Sequence, residues 1–328
     1  MKNSQPEKTE ILIIGAGLTG LLAAIDLQNA GYQTVVVDKG RGVGGRLASR
    51  RIGSATFDHG AQFITTRTPR FTSLIKEWES LGLVSEWFRS EKSDHIHWRG
   101  TPTMTSIPKH LANRLDVRLE KKITALQKAG DHWLATFEDG ESITATNFLI
   151  TAPLPQSLAI LEAGGVVLED DMNRKLLDLE YEPCLAVMAV LSRDSNIPQP
   201  GFIRPASGPI AWIADNKTKG VSNSPAITIH ATPAFSSAHW LDDREKIANE
   251  LLATAAPWIG SEIVEYQVHG WRYARPMREN DEMFVWISKQ PGLIIAGDVF
   301  GGARVEGAAL SGWAAAGAIM KLQRGASD

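Results

Sequence analysis

The chain opens on a hydrophobic pattern that changes period twice within forty residues. Ile11-Leu12-Ile13-Ile14 is a short continuous apolar run, as expected of a strand buried on both faces. Glycines follow, and then Leu21-Leu22-Ala23-Ala24-Ile25-Asp26-Leu27 places apolar residues at helical spacing until Gly31 ends the run. Thr34-Val35-Val36-Val37 is a second, β-branched strand, so the segment predicts a βαβ unit. Near the other end, Leu293-Ile294-Ile295-Ala296 repeats the buried-strand pattern. A glycine-rich turn and a helix from about Val305 to Leu322 come after it. The chain thus returns at its close to the kind of structure that opens it, which predicts a discontinuous domain with another domain inserted between its pieces.

The middle of the chain is read more coarsely. Phe71 to Leu81 has the spacing of an amphipathic helix. Val117 to Ile123, Trp133 to Phe137 and Ser142 to Ile150 predict strands, with Asp139-Gly140 as the turn between the last two. Leu185 to Leu191, Ala211 to Ala214 and Ala226 to Ala231 predict strands of a second sheet, and Arg244 to Ala255 a helix. No repeat or low-complexity segment interrupts them.

Composition narrows this picture. A length of 328 residues suits two domains better than one core, and 43% hydrophobic with 22% charged residues is ordinary for a globular chain. The net charge of −3 gives no electrostatic reason to expect nucleic acid or an anionic membrane. The single cysteine, Cys184, excludes an internal disulfide framework and a Cys-rich metal site, and no metal-ligand cluster is found. The polar segment Met1 to Glu10, the short run after it and the Ala/Gly-rich Gly307 to Met320 supply neither a signal core nor the roughly 20 residues of a membrane span. The expectation is a cytoplasmic enzyme.

Three segments carry candidate chemistry. Gly15-Ala16-Gly17-Leu18-Thr19-Gly20 lies between the first strand and the first helix, where a dinucleotide fingerprint sits. The first glycine permits a tight turn, the second lets backbone approach a pyrophosphate, and the third lets helix and strand pack closely. Asp38, closing the second strand, is placed to hydrogen-bond a ribose and to repel a 2′-phosphate. Gly42-Val43-Gly44-Gly45-Arg46 then adds N–H groups and a fixed cation, and Asp58-His59-Gly60-Ala61-Gln62-Phe63 supplies small residues suited either to a flat ring or to a plain surface loop. Finally, Ala296-Gly297-Asp298 delivers a carboxylate at a strand end, and the helix starting near Val305 offers its positive N-terminus.

Together these segments resemble the flavin-containing amine oxidase superfamily, and more narrowly the bacterial renalases. The matching pieces are Asp38-Lys39 through Gly44-Gly45-Arg46, Gly60-Ala61-Gln62-Phe63, Thr151-Ala152-Pro153, Ile229-His230-Ala231-Thr232, Trp271-Arg272-Tyr273-Ala274-Arg275-Pro276, and Gly297-Asp298 with Arg304-Val305-Glu306-Gly307-Ala308. The resemblance implies an α/β fold: an FAD-binding Rossmann-type domain, like that of glutathione reductase or p-hydroxybenzoate hydroxylase, with an inserted α+β substrate domain on a mostly antiparallel sheet. The expected boundaries are 1–65, 103–160 and 290–328 for the FAD domain, and 66–102 and 161–289 for the substrate domain. FAD, held without a covalent bond, would meet Gly15, Gly17, Leu18, Thr19 and Gly20 at the pyrophosphate and Asp38 and Lys39 at the adenosine ribose. Arg41, Gly45 and Arg46 would lie along the phosphates, and Ile123 near the adenine. Gly60, Ala61, Gln62 and Phe63 would line the isoalloxazine, with Thr151 and Ala152 nearby. Asp298 would take the ribitol, and Arg304, Val305, Glu306, Gly307 and Ala308 the ring end.

The resemblance also implies an oxidase of the 2- or 6-dihydropyridine isomers of NAD(P)H, which passes the hydride to O2 and yields H2O2 and NAD(P)+. Such a donor needs orientation more than an acid or base. A flavin amine oxidase or desaturase with another small substrate, and a flavoprotein that turns nothing over, remain alternatives. On the substrate side Trp212, His230, Trp271 and Tyr273 are candidates. The tryptophans serve equally as packing, and His230 as a hydrogen-bonded core histidine. Trp271 and Tyr273 share a strand face by period two, which turns Arg272 away, toward an expected ion pair. Cys184, in an apolar stretch, reads as a core thiol.

Overall fold

The apolar run at the start of the chain becomes the centre of a parallel sheet. A computed structural model describes residues 6–90, 93–278 and 282–325; the first five residues of the polar N-terminal segment lie outside them. The chain divides into two units. One comprises residues 1–45, 108–180 and 276–328, the other 46–107 and 181–275.

In the first unit, strand Glu7–Ile14 lies between Thr34–Val37 and Ser142–Ile150, parallel to both, and Ser142–Ile150 pairs in parallel with Gly292–Ala296. Asp116–Arg118 extends the parallel array on one side, and Phe284–Lys289 closes the other side antiparallel. Ile11, Leu12 and Ile13 have no exposed surface, as a strand covered on both faces requires. Helix Leu18–Asn29 follows the first strand, and helix Val305–Gly325 packs against it. Gly312 makes that approach possible, since a Cβ there would collide with the Thr19 carbonyl.

The second unit is built on a five-stranded sheet, in the order Phe202–Ile203, Ile210–Asp215, Ala226–Ala231, Tyr181–Leu191, Ile263–Pro276. The pairings through its centre are antiparallel. Alternation sorts its side chains. Leu185, Val187, Ile227 and Ile229 face helix Arg244–Ile259 and pack on Ile247, Leu251 and Ala255. Met188 and Ala226 face the other way, onto Ile52, Ala55 and Phe57 of the hairpin Ser49–Ile52/Ala55–Asp58. Truncating the fully buried Leu251 to Ala would cost about 2–5 kcal/mol. The helix itself is capped at both ends: the Asp243 carboxylate accepts the Glu245 and Lys246 N–H groups, and Gly260 turns left-handed at φ 67°.

Several expectations are corrected. The chain leaves the first unit after residue 45 rather than 65, because the 49–58 hairpin packs on Met188 and Ala226 of the other sheet. The remaining boundaries fall at 107/108, 180/181 and 275/276, so helices Leu154–Ala163 and Asp170–Leu177 belong to the first unit. The strand expected over Val117 to Ile123 is two strands, Asp116–Arg118 and Ile123–Ala129, broken where Glu120 takes a positive φ of 56°. Among the described residues Arg272 makes no ion pair; its guanidinium lies 5.7 Å over the Trp240 ring, which occupies the space left by Gly270.

Candidate functional site

The first unit gathers its candidates at one edge of the sheet. In the parallel register Ile14 stands opposite both Val37 and Ile150, and Ile150 opposite Ile295. The next residues along each strand, Gly15, Asp38 and Thr151, therefore emerge side by side, with Gly297-Asp298 beyond. Gly15 has φ +112°, and a Cβ on it would sit 2.6 Å from Thr151 Oγ1. A Cβ on Gly20 would collide with the Gly15 carbonyl. Gly17 differs: nothing lies within 4 Å of where its Cβ would be. A space at that point, at the N-terminus of helix Leu18–Asn29, is what a pyrophosphate needs.

Asp38 organises this edge. Its Oδ2 accepts the Ala16 N–H at 2.7 Å and its Oδ1 the Gly40 N–H at 2.7 Å, which leaves a lone pair on each oxygen for a hydroxyl. Gly44 N donates to Ala16 O at 2.8 Å, tying the second glycine run to the first, and Gly45 turns at φ +53°. Leu18 and Thr19 are buried in the helix, Lys39 Nζ donates to Gln156 Oε1, and Arg41 is exposed. Thr151 Oγ1 donates toward Ile14 O and Gly15 O, and Ala152 O accepts from Ser157 Oγ. Ile123 is buried at the start of its strand. Ser311 Oγ accepts the Gly297 N–H at 2.8 Å. Gly301 and Gly307 touch so closely that a Cβ on either would clash, which brings the Asp298–Gly301 turn against the start of helix Val305–Gly325. Arg304 is exposed, Glu306 and Asp298 are buried, and Ala308 N donates to Arg304 O.

In the second unit, the segment from Asp58 to Phe63 lies on the sheet face that carries the hairpin. Asp58 is wholly buried and fully used. Its Oδ2 takes Lys219 Nζ at 2.9 Å, its Oδ1 takes Met104 N and Ser49 Oγ, and its carbonyl takes Gln62 Nε2 at 2.7 Å and Thr228 Oγ1 at 3.0 Å. Lys219 Nζ also lies 3.5 Å from Gln62 Oε1 and 4.7 Å over the Trp87 ring. Gly60 abuts the Arg46 carbonyl, to which Ala61 N donates, while the Arg46 guanidinium donates to Ala274 O. Trp271 Nε1 donates to His59 O at 2.8 Å, and His230 Nε2 lies 3.0 Å from the same oxygen.

Three histidines meet there. His59 stands 5.0 Å from His269 and 5.1 Å from Trp271, ring centre to ring centre. Burial, with His269 and Arg50 adding to it, pushes His59 down to about 3. Burial likewise lowers His230 to about 4, and burial with Arg50 lowers His269 to about 4. All three are neutral at neutral pH.

Beyond them the rings form a wall. Phe63 lies 4.7 Å from His97, 5.7 Å from Trp212 and 6.0 Å from Phe88. Phe202 stacks on Trp212 at 4.5 Å and 8°, and Phe88 on His97 at 4.2 Å and 12°.

Of the expected substrate residues, Trp271 and His230 converge on one carbonyl, and Trp212 stands directly opposite His230 in the strand register. Tyr273 stands apart, paired with Tyr181 at 5.5 Å. His59, Lys219, His269 and the Phe202–Arg204 pair were not singled out from the sequence. His269 could have been, since it precedes Trp271 by two on the same strand. Cys184 is half-buried, and burial pushes its thiol up to about 12. Among the described residues no helix is long and apolar enough to cross a membrane.

Comparison with known proteins agrees with this fold. A family model for the NAD(P)-binding Rossmann-like domain matches residues 13–78, and one for flavin containing amine oxidoreductases matches residues 81–320. The protein anon-37Cs of Drosophila lebanonensis is 27% identical over 121 residues, 36% of this chain and 22% of that one. Protoporphyrinogen oxidase 2 of Arabidopsis thaliana is 32% identical over 96 residues, 29% of this chain and 18% of that one. The alignments thus span about a fifth of the length of these relatives. The structure of a putrescine oxidase variant superposes with a TM-score of 0.74 over 96% of this chain and 99% of that one, at 14% identity, a likeness of fold.

Proposed function

The chain belongs to the flavin-containing amine oxidoreductases, and within that family of FAD-dependent enzymes we propose that it is a renalase-like oxidase of the 2- or 6-dihydro isomers of NAD(P)H. The residues of the first unit fit FAD, since the space over Gly17, the helix N-terminus behind it and the free lone pairs of Asp38 answer to a diphosphate and a ribose. In this reading Gly15, Gly17, Thr19 and Gly20 hold the diphosphate, with Arg41 and Gly45 beside it and Asp38 and Lys39 at the ribose. Asp298 and the Arg304–Ala308 turn take the ribitol and ring end, and Gln62 and Phe63 are assigned to the ring by resemblance. Bound FAD supplies a two-electron acceptor that O2 reoxidises, with H2O2 as product.

One observation carries the choice of substrate. The acid and the bases nearest Gln62, Phe63 and Trp271 are already constrained. His59, His230 and His269 are held neutral, and Asp58 and Lys219 neutralise one another. An ammonium substrate wants a free carboxylate, or a base to remove its proton; among the described residues, Asp58 beside this wall is already used. A dihydropyridine is a ready hydride donor and needs only a flat surface that fixes its orientation. The rings of Phe63, Trp212 and Trp271 offer that.

The test is anaerobic mixing of the yellow holoprotein with ordinary NADH, its dihydropyridine isomers and a set of simple amines. Rapid bleaching by the isomers alone is expected, followed by one H2O2 per turnover in air. Bleaching by an amine, with the isomers inert, would replace this reading with amine oxidation.

A further inference from the structure

Arg204 lies across from Trp212 on neighbouring strands, and its guanidinium rests on two stacked rings. The Cζ atom is 4.7 Å from the Trp212 ring centre and 5.7 Å from that of Phe202. The pairing Phe202↔Ala214 and Ile203↔Ile213 explains this, because it sets Phe202, Arg204 and Trp212 on one face. The side chain is exposed, and among the described residues no carboxylate pairs with it. A guanidinium laid flat on an aromatic ring keeps its N–H edge free, and it has already given up much of its rotamer freedom.

Two further observations bear on it. His97 lies next to it, with His95 beyond, and on the hairpin that carries His97 both Glu86 and Asp94 are taken by Arg89. Beneath it, the Trp212 indole N–H is enclosed with no acceptor, although the residue is only 7% exposed. The same wall runs on through Trp212 to Phe63. Arg244 and Arg272 flank Trp240 in a comparable way elsewhere in this unit, but Asp242 and Asp243 stand beside them at the helix start.

We infer that Arg204, braced on Trp212 and Phe202, binds the phosphate-bearing part of the substrate while the substrate's ring lies along the Phe63–Trp212 wall. This rests on the dihydronicotinamide reading for the ring and adds to it a residue that selects for anionic donors.

Three donors with the same dihydropyridine ring test the idea: the dinucleotide, the mononucleotide, and an N-methyl analogue with no phosphate. Each is mixed anaerobically with wild-type holoprotein, Arg204→Gln, Arg204→Lys and, as a control of equal charge change, Arg272→Gln. Inorganic pyrophosphate is titrated separately into each, with tryptophan fluorescence as the readout. Arg204→Gln is expected to weaken the dinucleotide and pyrophosphate about 10- to 100-fold, the loss of one charge-assisted pair. The N-methyl donor, the limiting bleaching rate and Arg272→Gln should stay unchanged, and Arg204→Lys should recover part of the loss. Pyrophosphate that fails to bind, binds equally without Arg204, or weakens alike in both glutamine variants would overturn the inference. Arg204-dependent pyrophosphate binding in a protein that no isomer bleaches would uphold the anion site and remove the dihydronicotinamide reading instead.

Discussion

Lys219 and Asp58 form an ion pair of 2.9 Å in which neither side chain retains any exposed surface. The pair ties the loop after strand Ile210–Asp215 to the hairpin that leads into Gln62 and Phe63. Burial lowers the lysine pKa, and the adjoining carboxylate works against that shift. Removing one partner strands the other, so Lys219→Met should cost about 3–5 kcal/mol, read from urea unfolding. Adding Asp58→Asn should recover most of it. A Lys219→Met protein as stable as wild type would show that the carboxylate finds water.

The second and third glycines of the opening turn should fail in opposite ways. A Cβ at Gly17 has no protein atom within 4 Å, so Gly17→Val should fold with a near-normal melting temperature and yet purify colourless. Gly20→Ala meets the Gly15 carbonyl and should lower the melting temperature as well as the flavin content. Retained flavin in Gly17→Val would mean that the diphosphate lies elsewhere.

The buried histidines set a pH dependence. His59 and His230 are neutral in the folded protein down to about 3 and 4, whereas the unfolded chain binds their protons below the ordinary 6.5. The unfolded state therefore holds more protons between those limits, and stability falls as pH drops from about 6.5 toward 4. Each histidine contributes a slope of up to about 1.4 kcal/mol per pH unit. Urea midpoints from pH 7.5 to 4.5 should show this. His230→Gln, which can still hydrogen-bond His59 O, should flatten the curve.

Cys184 should be inert. With its thiol pushed up to about 12, iodoacetamide at pH 8 should leave the native protein unlabelled, and label it only after denaturation. Cys184→Ala should bleach and turn over as the parent does. Fast labelling of the native form would place the sulfur in contact with solvent.

Local pattern was enough where local pattern decides the structure. The run Ile11 to Ile14, the strands Ser142–Ile150 and Ala226–Ala231, and the closing helix appear where periodicity places them, because each buries a continuous or alternating apolar set. The glycine turn was legible because its three glycines have separate steric tasks. Lys219 was not legible. It sits in Asn216-Lys217-Thr218-Lys219-Gly220, a stretch that reads as an exposed turn, and only its distant partner Asp58 makes it a core residue. The first domain boundary was misplaced for the same reason, since the hairpin at 49–58 packs on a sheet whose strands lie more than a hundred residues further on. Arg272, expected in an ion pair, settled on Trp240, a contact that no spacing announces.

The packing of Gly312 on the Thr19 carbonyl has a consequence for synthesis. The glycine turn is made long before the strand Gly292–Ala296 and the helix that braces it. Contacts of such long range are slow to form, because most of the chain must be looped out before they are made. The opening glycine turn thus stays unbraced until that helix is made, and cofactor capture is expected as a late step of folding.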